Sequence, residues 1–593
     1  MNNDINPLID NIHASSGKKK ADLLINDVQI ADVYTESFYQ GSIVVSGGKF
    51  VAISPSWTPL AEEVIDGRGK YAVPGFMDAH MHIEATLLMP RALAEAIVPR
   101  GTSALFVDAM EIANVCGAEG LKALVDSSAG IPLRVWLEVP SRVPTAPGLE
   151  TTGGALGAME VDELLKHDFS VSLGELDPSK VLTIKEEYLE KIASAKKYRK
   201  ICNGHAIGLN WDNLNTYAAA GLMDDHESVD YNMMFDRLRL GIKPLVREGS
   251  CERNLDALVG GIVQNGLNID GVLFCTDDKH VNDIFSEGHI NYNVKRSVEI
   301  GLSPIKAIKI ASLNAARHFR IDDLTGSITP GKYADFMLLD DLKNFNPTHV
   351  FSAGRLVARD GALVPSEKDS GGVKKYPEFL YNTVKLPENL APSSFEVCSA
   401  GKRACVRVIN LIEDQIINAE SEEWLDIEDG KIVSDIKQDI IKLSVVERYG
   451  KNGRVGAGFV RGFNIKNGAI ASSVSHDHHN IVVAGTRDDD MYKAVKVIEE
   501  HQGAFVAVVN GSVLGILPLP IAGLMSPLCA DEVMSAMNKL NRIVESMGCT
   551  MKAPFMALSF ISLPTVPELG LTDFGLIDVA SHSLVPLVIK VEE

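Results

Sequence analysis

The chain is predicted to be an α/β protein built on a (β/α)8 barrel, with a discontinuous small β-sandwich domain and an additional C-terminal α/β domain. Three observations predict it. Between residues 71 and 325, short apolar runs alternate with helix-patterned segments, and eight such runs can be counted. Most of the runs end in a titratable or polar residue: His80 and His82, Asp108, Glu138, Glu175, His205, His226, Arg247 and Asp277. Segments of β character lie on both sides of this region, so the chain enters and leaves it through the same kind of structure.

The first β-patterned segment comprises DLLINDVQIADV, GSIVVSGGKFVAIS and EEVIDGRG, with hairpin-type turns at SGG and DGRG. The barrel runs follow: YAVPGFMDAHMH, TSALFVDA, LRVWLEVP, VSLGEL, KICNGHA, GLMDDH, KPLVREG and GVLFCTDD. Helix patterns such as GAEGLKALVDSS and KEEYLEKIASAKKY separate several of them. After a last helix, SPIKAIKIASLNAARHF, β character returns in GSITPGKYADFMLLD and HVFSAGRLVARDGALV. Residues 21–70 and 326–365 are therefore expected to form one discontinuous β domain around a barrel at 71–325. Residues 365–379 read as a polar, Pro-flanked linker, and 380–593 as a further domain. The apolar stretch at 504–525 contains Asn510, Pro518 and Pro520, which suits buried strands and a loop rather than a membrane span.

A net charge of −21 speaks against nucleic acid or an anionic membrane as partner. A free nucleobase, which carries no phosphate, is not excluded. The eight cysteines show no CxxC spacing, and the N-terminal segment lacks the apolar core of a signal peptide. A soluble cytoplasmic protein is the expectation.

Asp78, His80, His82 and Glu84 stand at alternate positions of the first run and would project from one face of a strand. Two further strand ends deliver His205 and His226, and another delivers Asp277. In such barrels the strand C-terminal ends form the active-site face. Four imidazoles and a carboxylate converging there point to a metal centre. Glu175 decides nuclearity. As a bridge it would join one ion held by His80, His82 and Asp277 to a second held by His205 and His226; otherwise it stands beside a single ion. Imidazole and carboxylate without thiolate suit Zn, Fe(II) or Mn(II). Such a centre acidifies water into a nucleophile, and Asp277 is placed to relay the proton to a leaving group. A metal hydrolase follows.

With these residues in view, the sequence resembles the amidohydrolase superfamily and, more narrowly, the adenine deaminases. The superfamily pattern rests on His80, His82, Glu175, His205, His226 and Asp277. The narrower likeness rests on PGFMDAHMHIE, DAMEIANV, VPTAPGLETTGG, NGHAIGLN, AAGLMDDHES, LVREGS, CTDDKH, EGHINYNVKRSV, SLNAARHF and GKYADFMLLDDL. It continues in ASSVSHDHHNIVVAGT, LPLPIAGLMS, PFMALSFISLP and LTDFGLIDV. The resemblance implies hydrolysis of adenine to hypoxanthine and ammonia at two divalent ions. A metal-bound hydroxide would attack the amino-bearing ring carbon, and Asp277 would carry the proton to ammonia. It also implies a glutamate, here Glu175, where many relatives use a carboxylated lysine, a homodimer, and a place in purine salvage. The paired-Cys signature of the zinc deaminases that act on flipped bases is absent.

Two departures stand out. The family usually reads DPHEIANV where this chain has DAMEIANV, so Met110 replaces a histidine. It usually has a serine pair where this chain has Ala85 and Thr86. Both positions are expected beside the pocket, which leaves open a different amino-purine, a pterin or a cyclic amide as substrate. A catalytically silent binding paralogue is the reading from another class, and the intact six-residue set speaks against it. Candidate substrate contacts are Glu84, Asp108, Glu111, Glu227 and Arg247, although each glutamate could instead form a salt bridge, and Arg247 could pair with Glu248 or Asp278. Asp278 is expected behind a ligating histidine. The cluster His476, Asp477, His478, His479 reads as a structural metal site, a polar network or a lid. The resemblance favours the lid, with His478 or His479 nearest the substrate.

Overall fold

The computed structural model describes residues 5–365, 375–412, 418–564 and 568–593. The segment read as a linker lies mostly outside the described residues. At the centre are eight strands: Phe76–Met81, Thr102–Asp108, Arg134–Val139, Ser170–Leu176, Ile201–Gly204, Asp224–Asp225, Lys243–Arg247 and Leu273–Cys275. Each coincides with one of the apolar runs. The first five pair in parallel in chain order, and so do the last three. Two seams join the sets. Met223 N donates to Cys202 O at one; at the other, Asp277 N donates to His80 O and His82 N to Asp277 O. The ring of strands is thereby closed, and their C-terminal ends open on one face.

The run YAVPGFMDAHMH is two strands, not one. Tyr71–Pro74 bonds in parallel to Ala21–Asp32 and antiparallel to Phe336–Leu339, and only after Gly75 does Phe76–Met81 enter the barrel. Gly75 N donates to Asp335 O, and a Cβ there would meet the Ser103 side chain at 2.4–2.5 Å, so the transition needs glycine. Tyr71–Pro74 thus stitches the N-terminal and the later β segments together. They form one hydrogen-bonded sheet of nine strands that folds back on itself, since Phe50 of Lys49–Ile53 lies 5.5 Å from Phe336, four strands away in the sheet order. Leu23, Ile25, Val45, Phe50, Phe336, Leu338 and Phe351 pack as its core. The hairpin joining Ser37–Ser46 to Lys49–Ile53 turns at Gly47 and Gly48, both at positive φ, as a two-residue turn of this kind requires.

Beyond residue 380 a ten-stranded sheet, antiparallel except where Arg403–Leu411 meets Val455–Arg461, carries helices Asp488–Glu500 and Ala530–Ser546. Residues 504–525 include the hairpin Ala504–Val509 and Ser512–Pro518, with Asn510 and Gly511 at positive φ in its turn. Among the described residues no helix is long and apolar enough to cross a membrane.

This last unit is bound to the barrel face. The Asp573 carboxylate accepts Thr151 Oγ1 at 2.6 Å and Thr151 N at 3.1 Å. Asn480 Nδ2 donates to Thr151 O at 2.9 Å, and Lys451 Nζ to Thr152 O at 2.5 Å. Its segments 474–480 and 554–564 are thereby held over the strand ends.

Candidate active site

A cavity at the C-terminal ends of the strands is lined by His82, Glu175, His205, His226, Glu227, Arg247, Asp277 and Asp278 from the barrel. His476, Asp477, Phe560 and Leu563 line it from the C-terminal unit. All six residues expected to bind metal converge here. His80 Nε2 lies 3.7 Å from Glu175 Oε2 and 3.9 Å from Asp277 Oδ1; His82 Nε2 lies 3.9 Å from Glu175 Oε1 and 3.5 Å from Asp277 Oδ1. On the other side, His226 Nε2 and His205 Nδ1 approach Glu175 Oε2 at 3.1 and 3.2 Å. Glu175 stands between the two histidine pairs. Glu227, expected to touch substrate, lies within the cluster: Oε1 is 3.4 Å from His205 and 3.2 Å from His226.

The local chain explains the aim of these groups. His80 lies within its strand and His82 follows it, so both point toward the mouth. His80 Nδ1 sits 2.6 Å from Glu138 Oε2, and His82 Nδ1 2.8 Å from the Asp108 carbonyl. Each ring therefore offers Nε2 inward, the orientation a ligating imidazole needs. Asp277 adopts a left-handed backbone, φ 56°, two residues after the strand has ended at Cys275. Arg247 Nη1 donates to Asp277 Oδ2 at 2.8 Å and Glu227 Oε1 at 3.0 Å. It pairs with neither Glu248 nor Asp278.

The donor set fits a metal. His80 Nε2 and Glu175 Oε2 are buried without a hydrogen-bond partner. Three overlapping triads, His80–His82–Asp277, His80–Glu175–His226 and His205–His226–Glu227, each bring ligand atoms within 4.8 Å of one another. Electrostatics agree. Despite burial, the carboxylates around them hold the His82 and His226 imidazoles well above their ordinary range, so these rings bind protons where a cation would serve. Against its burial, Arg142 and His205 hold the Glu175 carboxyl well below the usual range.

The remaining sequence candidates divide. Glu111 lines the cavity. Asp278 also lines it, but the positions behind His80 and His82 belong to Glu138 and the Asp108 carbonyl; burial and the adjacent Asp277 push the Asp278 carboxyl up to about 8. The Asp108 carboxylate turns from the cavity to accept Glu175 N at 3.0 Å. Glu84 lies in the turn Ile83–Thr86, and its Oε1 accepts Ile112 N in the first turn of helix Met110–Ser127. Asp78 is taken by Thr276 N and by His289, 3.0 and 3.1 Å away. The alternate spacing of Asp78, His80, His82 and Glu84 thus does not carry all four into one site, because the strand ends at Met81. Of the departures, Met110 lines the cavity and Ala85 does not.

His478 and His479 are turned inward. Ser475 O accepts His479 N at 2.6 Å, and the turn presents His476 and Asp477 to the cavity instead. Sequence reasoning passed over four further groups. Glu138 was visible as a strand-end carboxylate; Arg142, ion-paired with Glu175 from the loop after the third barrel strand, had no motif to mark it. Glu252 reaches the wall from the loop after the seventh barrel strand, and Phe560 from the C-terminal unit.

Comparison with known proteins agrees with this architecture. Residues 71–357 match the model of the amidohydrolase family, and residues 415–583 that of the adenine deaminase C-terminal domain. The chain is 58% identical over 592 residues to a protein named adenine deaminase from Desulforamulus reducens, covering all of both chains. It is 38% identical over 581 residues to one from Halalkalibacterium halodurans, covering 98% of each. A third, named adenine deaminase 2, from Carboxydothermus hydrogenoformans, is 39% identical over 583 residues, 98% of this chain and 99% of that one.

Proposed function

The chain belongs to the adenine deaminase family of the amidohydrolases and hydrolyses adenine to hypoxanthine and ammonia; we propose that it does so at two divalent cations held by His80, His82, Glu175, His205, His226 and Asp277. The observation that carries the binuclear reading is the position of Glu175 between the two histidine pairs: Oε1 faces His82, and Oε2 faces His205, His226 and, at 3.7 Å, His80. When bound, the cations supply Lewis-acid activation of water at neutral pH. Manganese, iron and zinc all suit the donor set.

The chain's own residues supply the proton path. Asp277, although buried, is held down at about 2 by His226 and Arg247, so it is a carboxylate throughout the working range. Arg247 occupies Oδ2, which leaves Oδ1 facing His80 and His82. Asp277 takes one proton from the attacking water and returns it to the departing amino group. The oxygen ends on the ring carbon, the second proton on ring nitrogen N1, and ammonia leaves. The C-terminal unit roofs the site with His476, Asp477, Phe560 and Leu563 and excludes bulk water. Another amino-purine, a pterin or a cyclic amide is not favoured, since the full-length relatives at 58% and 38% identity carry the name adenine deaminase.

The same reading makes the enzyme a cytoplasmic homodimer of purine salvage, supported by the family likeness and by eight cysteines of which none forms a disulfide. Apoprotein titrated with Mn(II), Fe(II) or Zn(II) should regain ammonia release from adenine in proportion to two bound equivalents. Full activity at one equivalent would refute the bridging role of Glu175.

A further inference from the structure

The ligand cluster occupies one part of the cavity wall. A second polar group stands apart from it: Glu111, His476 and His479, with one ligand atom of each within 4.8 Å of the others. Among the described residues, none of the three forms a hydrogen bond or ion pair with a side chain of the six-residue set. Glu111 and His476 line the cavity. The Glu111 side chain is 1% exposed, yet neither of its oxygens has a hydrogen-bond partner; His476 Nδ1, its near neighbour, is 3.7 Å away. The His476 ring is fixed by stacking on Phe560 at 4.9 Å and by an edge contact with His479 at 5.6 Å. A buried carboxyl left wholly unbonded in a cavity wall is built for a partner that enters the cavity.

We propose that Glu111 reads the edge of the base remote from its reacting carbon, making a two-point pair with N3 and N9–H of free adenine. The inference rests on the adenine-hydrolysing reading above. The amino-bearing carbon and N1 must face Asp277, which turns the opposite end of the planar ring system away from the ligand cluster. At that end a lone pair on N3 lies beside the N–H of N9. A neutral carboxyl, with one O–H and one carbonyl, complements the pair. Burial, then the facing carboxyls of Glu84, Asp278 and Asp477, push Glu111 well above the ordinary range, while His82 opposes them. Met110 and Phe560 offer apolar surface to the rings. The arrangement selects the free base, because an N9 substituent removes the donor and fills its place.

The test compares metal-loaded wild type, Glu111→Ala and Glu111→Gln on adenine and on 3-deazaadenine, which lacks the N3 acceptor without added bulk. Alanine should lower kcat/KM for adenine about 100-fold or more, yet lower that for 3-deazaadenine at least about 10-fold less, because only the N9–H bond is left to lose there. Glutamine, whose amide also offers one N–H and one carbonyl, should restore most of what alanine loses. Metal content should be the same in all three, and 9-methyladenine should bind the wild type at least about 100-fold more weakly than adenine. Equal losses on both bases, or glutamine as damaging as alanine, would overturn the proposal. Loss of a metal equivalent in Glu111→Ala would also overturn it, by making the cluster a cation site. Failure of the wild type to release ammonia from adenine would instead bring down the underlying reading, and this inference with it.

Discussion

Glu138→Gln isolates what holds the proposed ligand His80 in place, at a residue outside the cavity lining. Glu138 is fully buried, with Oε2 2.6 Å from His80 Nδ1 and Oε1 3.0 Å from Asn203 Nδ2. Both neighbours are donors, because His80 must keep Nε2 free for metal and Asn203 Nδ2 also donates to Asp224 Oδ2 at 3.0 Å. A carboxylate satisfies both. Glutamine, with one oxygen and one NH2, leaves a donor facing a donor on one side. Flipping Asn203 does not relieve this, since its oxygen would then meet the Asp224 carboxylate. One buried unsatisfied donor costs about 1–3 kcal/mol, or roughly 5- to 150-fold in an equilibrium. If the mismatch falls on His80, metal affinity drops by about that factor, as for other groups behind metal-bound histidines. If it falls on Asn203, the folded state loses the same amount. Competition with a calibrated chelator reads the first quantity and thermal unfolding of the apoprotein the second. Unchanged metal affinity together with unchanged Tm would refute the reasoning.

Three further outcomes are expected. Asp573→Ala removes the charged acceptor that ties Thr151 to the C-terminal unit and should cost about 2–4 kcal/mol, seen as a lower Tm. His478 is held by burial at about 4, and its Nδ1 accepts Asn480 N, so the folded state excludes a proton that the unfolded chain binds below about 6.5. Its contribution is fully present above pH 6.5 and is lost as pH falls toward 4, up to about 3 kcal/mol; His478→Asn should flatten Tm against pH over that window, and an unaltered slope would contradict the assignment. Met110→His should not raise kcat/KM for adenine; a clear gain in steady-state assays would mean that this cavity is shaped for another base.

The barrel was legible because its chemistry punctuates its strands. Apolar runs ending in His, Glu or Asp are what a closed parallel sheet with a polar mouth demands, and each run supplied one barrel strand, the first giving a strand of the β domain as well. The six residues proposed to hold metal, which converge on the cavity, were legible for the same reason. Contributions made by geometry rather than residue type were less so. The helix pattern at GAEGLKALVDSS begins seven residues late because Gly117, at φ 62°, kinks a helix that starts at Met110 and places Glu111 in the wall. The inward turn of His478 and His479 depends on backbone hydrogen bonds that no spacing encodes. Asp108 sits at a strand end like the proposed ligands, but its carboxylate accepts from the Glu175 backbone instead. Helix Asn6–Ser15, with Ile5, Leu8 and Ile12 exposed near it or on it, had no expectation attached.

The central claim is that adenine is hydrolysed at this cluster with Asp277 moving the proton. It is tested most directly by ammonia release from adenine in metal-loaded wild type and Asp277→Asn, with bound metal measured on the same samples. The expected result is turnover by the wild type and a loss of about 1000-fold or more in the variant, with its metal largely retained. Wild-type turnover matched by Asp277→Asn at equal metal content would contradict the account.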